Sequence, residues 1–235
     1  MECDRIREHA DHLGVDVTEV QCSLLLRHLG WVIEANRSLN LTAITDARRA
    51  LLLHVVDSLA VVPHIPHTDS RWADIGSGAG YPGIPLAVVC QRPVDLIESV
   101  RKKAAFLRQC VNRLDGLSGS VVHALRAEEV AQSFPREYGV VTARALTSLP
   151  SLVELASPLL VPGGHLIAMK GVPAATELES GSEAARMVGM RLVLEHRYEL
   201  PESGESRMLL RYEKVGEPEV SLPRRTGIAQ KRPLA

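Results

Sequence analysis

The sequence predicts an α/β protein whose central sheet is mostly parallel. From Trp72 onward, five short apolar runs alternate with segments that have the spacing of helices. These runs are apolar throughout and do not alternate with polar residues, as expected for parallel strands buried on both faces. Two later runs are separated only by a Pro/Gly/Ser turn, which predicts an antiparallel hairpin. We therefore predict a doubly wound sheet that ends in a hairpin.

The segment before this sheet is predicted to be helical. Apolar residues recur on one helix face from Leu25 to Ile33. A second amphipathic helix follows, with Asp46 as its N-cap and Pro63 at its end. We expect an N-terminal helical subdomain over residues 1–67 and a sheet domain over residues 68–235.

The composition narrows the class of protein. The 235 residues are 46% hydrophobic and 23% charged, which is typical of a soluble globular protein. A net charge of −1 offers no overall attraction to nucleic acid, so any RNA would bind a local basic patch. The cysteines and histidines lack the spacing of a metal site, and we predict no metal. With no signal peptide or apolar run of about 18 residues, we expect a cytoplasmic protein without a membrane span, and a monomer.

The turn after the first predicted strand is rich in glycine. Gly76, Gly78 and Gly80 lie within DIGSGAGYPGIP, where the first helix of a doubly wound sheet begins. Glycine adopts positive φ and lets a ligand approach the main chain, so a nucleotide-like ligand is expected here. Asp74 would place a negative charge beside a pyrophosphate. It therefore disfavours a dinucleotide and favours a ligand with a cationic end.

Acidic residues also follow the second and third strands. Glu98 comes 24 residues after Asp74 and can accept hydrogen bonds from both hydroxyls of a ribose. Glu128 follows the third strand and can accept one from an adenine amino group. Each acid alone would be an ordinary helix cap or solvated residue. Together with the glycines they resemble the Rossmann-like class I S-adenosylmethionine-dependent methyltransferases.

The residues after strands four and five bear on the chemistry. The segment TARALTSLP has neither the Asn/Asp-Pro-Pro-aromatic motif of amino-group methylation nor a cysteine nucleophile. A substrate atom with a free lone pair, such as a ring nitrogen, fits best, because its methylation depends mainly on positioning. Arg144 is expected to orient the methionine carboxylate or an RNA phosphate. Lys170 is expected to be a catalytic positioning residue that contacts a phosphate or guanine O6. Both could instead be solvated strand-end residues.

Several longer motifs resemble the RsmG family, also called glucose-inhibited division protein B. They occur in that family's order and spacing: NLTAIT, HVVDSL, DIGSGAGYPGIPLA, LIESVRKKAAFL, RAEE, VTARAL, GGHLIAMKG and the terminal RRTGIAQKRPL. The resemblance implies a methyltransferase that uses S-adenosyl-L-methionine to methylate N7 of a guanine in bacterial small-subunit ribosomal RNA. It implies cofactor contacts at Gly76, Gly78, Tyr81, Glu98, Ala127, Glu128 and Arg144. The family usually has Phe in place of Tyr81, so the aromatic plane is kept and a hydroxyl is added. Residues 1–39 and 172–189 match none of its motifs.

The end of the chain is locally basic and contains no acid. We predict that Arg224, Arg225 and Lys231 contact RNA phosphates, with ribosomal RNA or the small ribosomal subunit as the partner. His54, Asp57 and Ser58 share one helix face. They either position RNA or cofactor, or dock the helices on the sheet domain.

Three other functions stay open from the sequence. One is a methyltransferase of the same fold that acts on a small molecule or a protein, although the basic end of the chain disfavours it. Another is a nicotinamide oxidoreductase, which Asp74 disfavours. The third is an RNA-binding assembly factor that keeps the fold and transfers nothing.

Overall fold

A seven-stranded sheet runs through the computed structural model, which describes residues 2–235. Its strand order is β3-β2-β1-β4-β5-β7-β6. β1 to β5 are parallel, and β7 runs antiparallel to both β5 and β6. This confirms the predicted parallel sheet with a terminal hairpin. The strands are β1 (Arg71–Ile75), β2 (Val94–Ile97), β3 (Val122–His123), β4 (Tyr138–Arg144), β5 (Leu160–Gly171), β6 (Met190–Glu199) and β7 (Ser206–Lys214).

Helices cover both faces of the sheet. Those expected from the sequence are present, and two were not expected: α9, which follows β5, and the short α10 near the end of the chain. The helices are α1 (Glu2–His12), α2 (Glu19–Leu39), α3 (Ala47–Ala50), α4 (Asp57–Leu59), α5 (Gly83–Cys90), α6 (Arg101–Arg113), α7 (Ala127–Ser133), α8 (Leu149–Ala156), α9 (Ala175–Met187) and α10 (Ile228–Lys231).

Each face of the sheet has its own hydrophobic core. On one face, Leu25 of α2 and Val55 belong to the same buried cluster as Leu96 of β2 and Ile167 of β5. On the other face, residues of α7, α8 and α9 pack with Ala229 of α10. The N-terminal helices thus form a layer on the sheet. The boundary between 67 and 68 falls in the connector before β1 and stays a prediction.

A π-helical segment joins α3 to α4. Asp46 caps α3, as predicted, because its Oδ1 accepts a hydrogen bond of 2.7 Å from the Arg49 backbone amide. The helix then widens into π-helical turns over Leu51–Val56 and returns to α-helix at Asp57. Such segments are rare and often lie at functional sites. Here the segment borders the carboxyl ends of β4 and β5, where the candidate site is found.

Candidate active site

The glycine-rich turn lies between β1 and α5, as the sequence predicts. Gly76, Gly78 and Gly80 have φ of +70°, +56° and +98°. The amide of Gly78 donates to Glu98 Oε2 over 2.9 Å. A Cβ on Gly78 would have only the Gly76 carbonyl oxygen within 4 Å, at 3.8 Å. The main chain here is therefore open to a ligand that a side chain would obstruct.

The two acids predicted to bind adenosine lie on the loops after β2 and β3. Glu98 is buried, and its Oε1 accepts a hydrogen bond of 2.7 Å from the Val100 amide. Because a carboxylate oxygen has two lone pairs, both Glu98 oxygens can still accept from ribose hydroxyls. Glu128 is also buried, and its Oε1 accepts from the amide of Gly227, 2.7 Å away. The adenine-side acid is therefore also bonded to the end of the chain.

Asp74 is buried beneath the turn. Its Oδ1 accepts a hydrogen bond of 2.9 Å from Thr142 Oγ1, while its Oδ2 is buried with no partner among residues 2–235. Burial raises the pKa of Asp74 to about 6. The open main chain at Gly78 and the fixed carboxylate of Glu98 fit a nucleoside with a cationic tail, such as S-adenosylmethionine.

Two cavities flank the end of β4. The first, which we call the turn cavity, has a volume of about 40 Å³ and is lined by Gly76, Ile97, Ser99, Leu125, Arg126, Ala127, Glu128, Leu146, Leu155 and Gln230. The second, the strand-end cavity, has a volume of about 310 Å³ and is lined by Ile44, Leu53, His54, Asp57, Arg144, Ala145, Met169, Lys170, Gly171 and Arg207. Ala145 and Leu146 are consecutive, so the two cavities are neighbours.

Arg144 joins the π-helical segment to the end of β4. Its guanidinium donates to the Leu53 carbonyl oxygen over 2.7 Å and to His54 Nδ1 over 3.1 Å. Arginine has no acceptor, so His54 Nδ1 must accept, and the ring proton lies on Nε2, 2.9 Å from Thr42 Oγ1. Burial and the charge of Arg144 lower the pKa of His54 to about 3, so the ring is neutral near pH 7. Arg144 also lies over the Tyr81 ring, 5.4 Å from its centroid.

Asp57 is a buried acid in the wall of the strand-end cavity. Tyr198 of β6 donates its hydroxyl to Asp57 Oδ1 over 2.7 Å, and Arg144 lies 3.4 Å from Oδ2. Arg207 of β7 is 3.9 Å from Oδ1. The face shared by His54 and Asp57 therefore docks the helices on the sheet and also lines the cavity, whereas a role in positioning RNA or cofactor stays a prediction. Ser58 is fully buried and donates to the His54 carbonyl oxygen, a structural contact.

Lys170 lines the same cavity, as expected from its place at the end of β5. Its ammonium group donates to the Thr147 carbonyl oxygen over 3.1 Å and forms an ion pair with Glu177 of α9. The lysine is therefore held at the cavity wall by an acid on a helix that was not expected from the sequence. A contact with RNA or guanine stays a prediction.

The basic residues at the end of the chain differ in their surroundings. Arg225 and Lys231 are exposed and form no ion pair within residues 2–235, so both are accessible to phosphates. Arg224 instead forms two hydrogen bonds, of 2.6 and 2.5 Å, with the buried carboxylate of Glu154 in α8. In this conformation its Nε and Nη2 are bonded within the protein, and a phosphate contact by Arg224 stays a prediction.

Sequence reasoning missed Arg207 and Tyr198. Arg207 reaches the cavity because β7 pairs with β5, which sets it opposite Gly171. Tyr198 pairs with Arg207 across the hairpin. A hairpin was predicted, but the register that brings these side chains to Asp57 leaves no local signal in the sequence.

The strand order, the glycine-rich turn and the acids after β2 and β3 define a class I methyltransferase fold. The structure resembles the crystal structure of an S-adenosylmethionine-dependent methyltransferase from Methanosarcina mazei, with a TM-score of 0.53 at 14% identity over 67% of this chain and 98% of that one. It also resembles the [4+2]-cyclase SpnF, with a TM-score of 0.54 at 16% identity over 68% of this chain and 82% of that one. These likenesses confirm the predicted fold.

The relatives found by sequence are more specific. The model of the GidB family, described as rRNA small subunit methyltransferase G, matches residues 21–199. The ribosomal RNA small subunit methyltransferase G of Pelotomaculum thermopropionicum is 40% identical over 98% of both chains. That of Deinococcus radiodurans is 39% identical over 97% of this chain and 91% of the relative. The chain therefore belongs to the rRNA small subunit methyltransferase G family, and S-adenosyl-L-methionine is its cofactor.

None of the helices in residues 2–235 is long and apolar enough to span a membrane. These residues also contain no group of three or more His, Cys, Asp or Glu side chains that could hold a metal ion.

Proposed function

We propose that this protein transfers the methyl group of S-adenosyl-L-methionine to N7 of a guanine in small-subunit ribosomal RNA. Adenosine would bind at the turn cavity and the guanine in the strand-end cavity. The observation that supports this most directly is that Ala145 and Leu146, consecutive residues after β4, line the two cavities. A methyl donor in one site and an acceptor in the other would meet at that point.

The residues of the turn suit the cofactor. Gly78 leaves the main chain accessible to the methionine end, and Glu98 presents two oxygens to the ribose hydroxyls. Ala127 and Glu128 form the adenine side of the turn cavity. The Arg144 guanidinium stacks on the Tyr81 ring and can form an ion pair with the methionine carboxylate.

The strand-end cavity suits a guanine. Its volume of about 310 Å³ lies at the lower end of ligand sites and can hold one base turned out of a helix. Guanine carries acceptors at O6 and N7. Lys170 and Arg207 can donate to O6, while Asp57 can accept from the neighbouring N1 and N2 hydrogens of the Watson–Crick edge, away from N7.

The reaction requires little from acid or base groups. When bound, the cofactor would supply a methyl group on a sulfonium, and the neutral thioether of S-adenosylhomocysteine would leave as N7 takes the methyl group. Guanine N7 has a lone pair and no proton to lose, so the residues around the cavity need only hold the ring in line. Such positioning is sufficient for a large rate enhancement. His54 is neutral and hydrogen-bonded at both ring nitrogens, which is consistent with a structural role.

The proposal also covers the oligomeric state of the protein, its location in the cell and its substrate. We propose a monomer in the bacterial cytoplasm that acts on the small ribosomal subunit or its RNA. Arg225 and Lys231 are exposed basic residues that are available for phosphate contacts at the end of the chain.

The test is transfer of radiolabelled methyl from S-adenosylmethionine to small subunits isolated from cells that lack this activity. After digestion to nucleosides, label is expected in 7-methylguanosine. Glu98→Gln should abolish it, because the amide can no longer accept both backbone hydrogen bonds and both ribose hydroxyls. Glu129→Gln is the matched control: its carboxylate accepts from the Arg126 amide in the cap of α7, and its change should leave transfer nearly intact.

The outcomes separate the alternatives. Label in another nucleoside would contradict the guanine-N7 assignment and keep the methyltransferase. Bound cofactor without any transfer to RNA would favour the non-catalytic assembly factor.

A further inference from the structure

The end of the chain forms part of the turn cavity. Residues 222–235, which we call the C-terminal segment, contact α8 and the loop after β3. Gly227 donates its amide to Glu128, and Gln230 lines the turn cavity together with Gly76. The side chains of this segment were expected to face RNA, yet its centre meets residues predicted to bind adenine.

Two anchors hold the C-terminal segment on α8. Arg224 is paired through two nitrogens with Glu154, whose carboxylate is almost completely buried, and it also donates to the Arg232 carbonyl oxygen over 2.7 Å. Ser151 donates its hydroxyl to the Ala229 carbonyl oxygen over 2.8 Å, and the Ala229 methyl is buried in the core. Bidentate, charge-assisted pairs of this kind are among the stronger polar contacts in proteins.

The turn cavity is too small for adenosine in this conformation. Its volume of about 40 Å³ is far below the roughly 300–1,000 Å³ of ligand sites. Part of the space beside Gly76 is taken by the side chain of Leu146. The turn cavity is also lined by Gln230, an exposed residue of the C-terminal segment. Cofactor entry therefore needs Leu146, the C-terminal segment or both to move.

We propose that the C-terminal segment is the outer wall of the adenosine site, that Gln230 contacts the adenine, and that the Arg224–Glu154 pair controls how readily this wall opens. A glutamine amide has one donor and one acceptor at the spacing that matches N6 and N7 of adenine. Glu128 then has a double role, because it holds the wall through Gly227 and faces the base with its second oxygen. This inference rests on the proposed function, since it takes S-adenosylmethionine as the ligand of the turn cavity.

The test measures cofactor binding without RNA, on the full-length protein, with S-adenosylhomocysteine as the probe. Calorimetry gives its Kd and stopped-flow fluorescence its release rate. Arg224→Ala should release the probe about tenfold faster, the effect expected when a hydrogen-bonded charge pair is lost. Gln230→Ala should weaken binding several-fold without loosening the anchors. Arg225→Ala is the matched control: it removes an exposed neighbouring charge with no ion pair and should bind the probe like the wild type.

A second measurement, limited proteolysis with trypsin, reports how exposed the C-terminal segment is. Trypsin can cut after the exposed Arg225 and Lys231, and S-adenosylhomocysteine should slow these cuts in the wild type but much less in Arg224→Ala. If Arg224→Ala and Gln230→Ala both bind and release the probe like the wild type, the C-terminal segment does not form a wall of the adenosine site. If the wild type itself does not bind the probe, the proposed function fails along with it. A segment that serves RNA alone would leave every cofactor measurement unchanged and lower RNA binding in Arg225→Ala.

Discussion

Tyr81 buries its hydroxyl beside the glycine-rich turn without a hydrogen-bond partner among residues 2–235. The ring itself is well packed. It stacks on His54 with centroids 4.8 Å apart and an angle of 16°, and it contacts His28 at the same distance. Burial raises the pKa of this phenol well above its usual value, so it stays protonated. The ring of Tyr81 therefore packs against the side chains of the site. Its hydroxyl has lost its hydrogen bonds to water and forms none with residues 2–235.

Replacing Tyr81 by Phe should leave the protein as stable as before or more stable by about 1 kcal/mol, because an unpaired buried hydroxyl is removed. Affinity for S-adenosylhomocysteine should stay within about twofold, since the ring is kept. Tyr138→Phe is the control, because that hydroxyl donates to the buried Asp95 over 2.9 Å; its loss should cost about 2 kcal/mol. Urea unfolding of both variants checks this. An equal loss in the two would mean that the Tyr81 hydroxyl has a partner.

At the scale of elements, the turn between β1 and α5 depends on backbone that a side chain would restrict. Gly78 and Gly163 both have positive φ, of +56° and +74°, and both face open space. They differ in their surroundings: the Gly78 amide donates to Glu98 in the glycine-rich turn, whereas Gly163 lies within β5. Alanine substitutions at these two glycines therefore distinguish the cost of backbone strain, which both positions share, from obstruction of the ligand, which we expect only at Gly78.

Gly78→Ala and Gly163→Ala should each lower the free energy of unfolding by roughly 1–2 kcal/mol, the cost of a left-handed conformation for alanine. Only Gly78→Ala should weaken S-adenosylhomocysteine binding, by about tenfold or more, because its methyl group lies where the ligand approaches. Calorimetry and urea unfolding measure the two effects. Similar affinities in both variants would show that the ligand does not contact this main chain.

The elements that carry a local pattern could be predicted from the sequence. The apolar runs of β1, β2, β4 and β5 and the acids after β2 and β3 are such patterns, and each is found at its expected place. α9 was missed because only Gly181, Ala184 and Ala185 of its residues are buried, which leaves no apolar stripe to recognise. The π-helical turns over Leu51–Val56 were also missed. There the Leu53 carbonyl oxygen bonds to Arg144, a partner 91 residues away.

The role of the C-terminal segment could not be predicted for the same reason. Arg224 and Arg225 are adjacent and chemically identical, so the sequence assigns both to RNA. The fold separates them, because Glu154 lies within reach of Arg224 and 70 residues before it in the chain. Local composition identifies a basic segment, whereas long-range contacts decide which of its charges are free.

At the scale of the whole molecule, the N-terminal helices and the sheet are joined at several places. One hydrophobic cluster contains residues of both, including Leu25 and Ile167. The tip of the hairpin adds a polar link, since Glu202 pairs with Arg5 and bonds to His9 of α1. The hydrogen bonds from Arg5 and His9 lower the pKa of Glu202 to about 2. Arg144 adds a third link beside the active site.

These contacts between the N-terminal helices and the sheet predict that residues 1–67 and 68–235 unfold together and not as two subdomains. The two tryptophans report on the two parts: Trp31 lies in α2, under the guanidinium of Arg113 at 4.6 Å, and Trp72 lies in β1. In Trp72→Phe only the helical layer fluoresces, and in Trp31→Phe only the sheet does. Within each variant, the urea transitions by fluorescence and by far-UV circular dichroism should coincide, as for a single cooperative unit. A transition at lower urea for Trp31 than for the dichroism would instead establish an independent helical subdomain. In that case the strand-end cavity, which has one wall in each part, would open before the sheet unfolds.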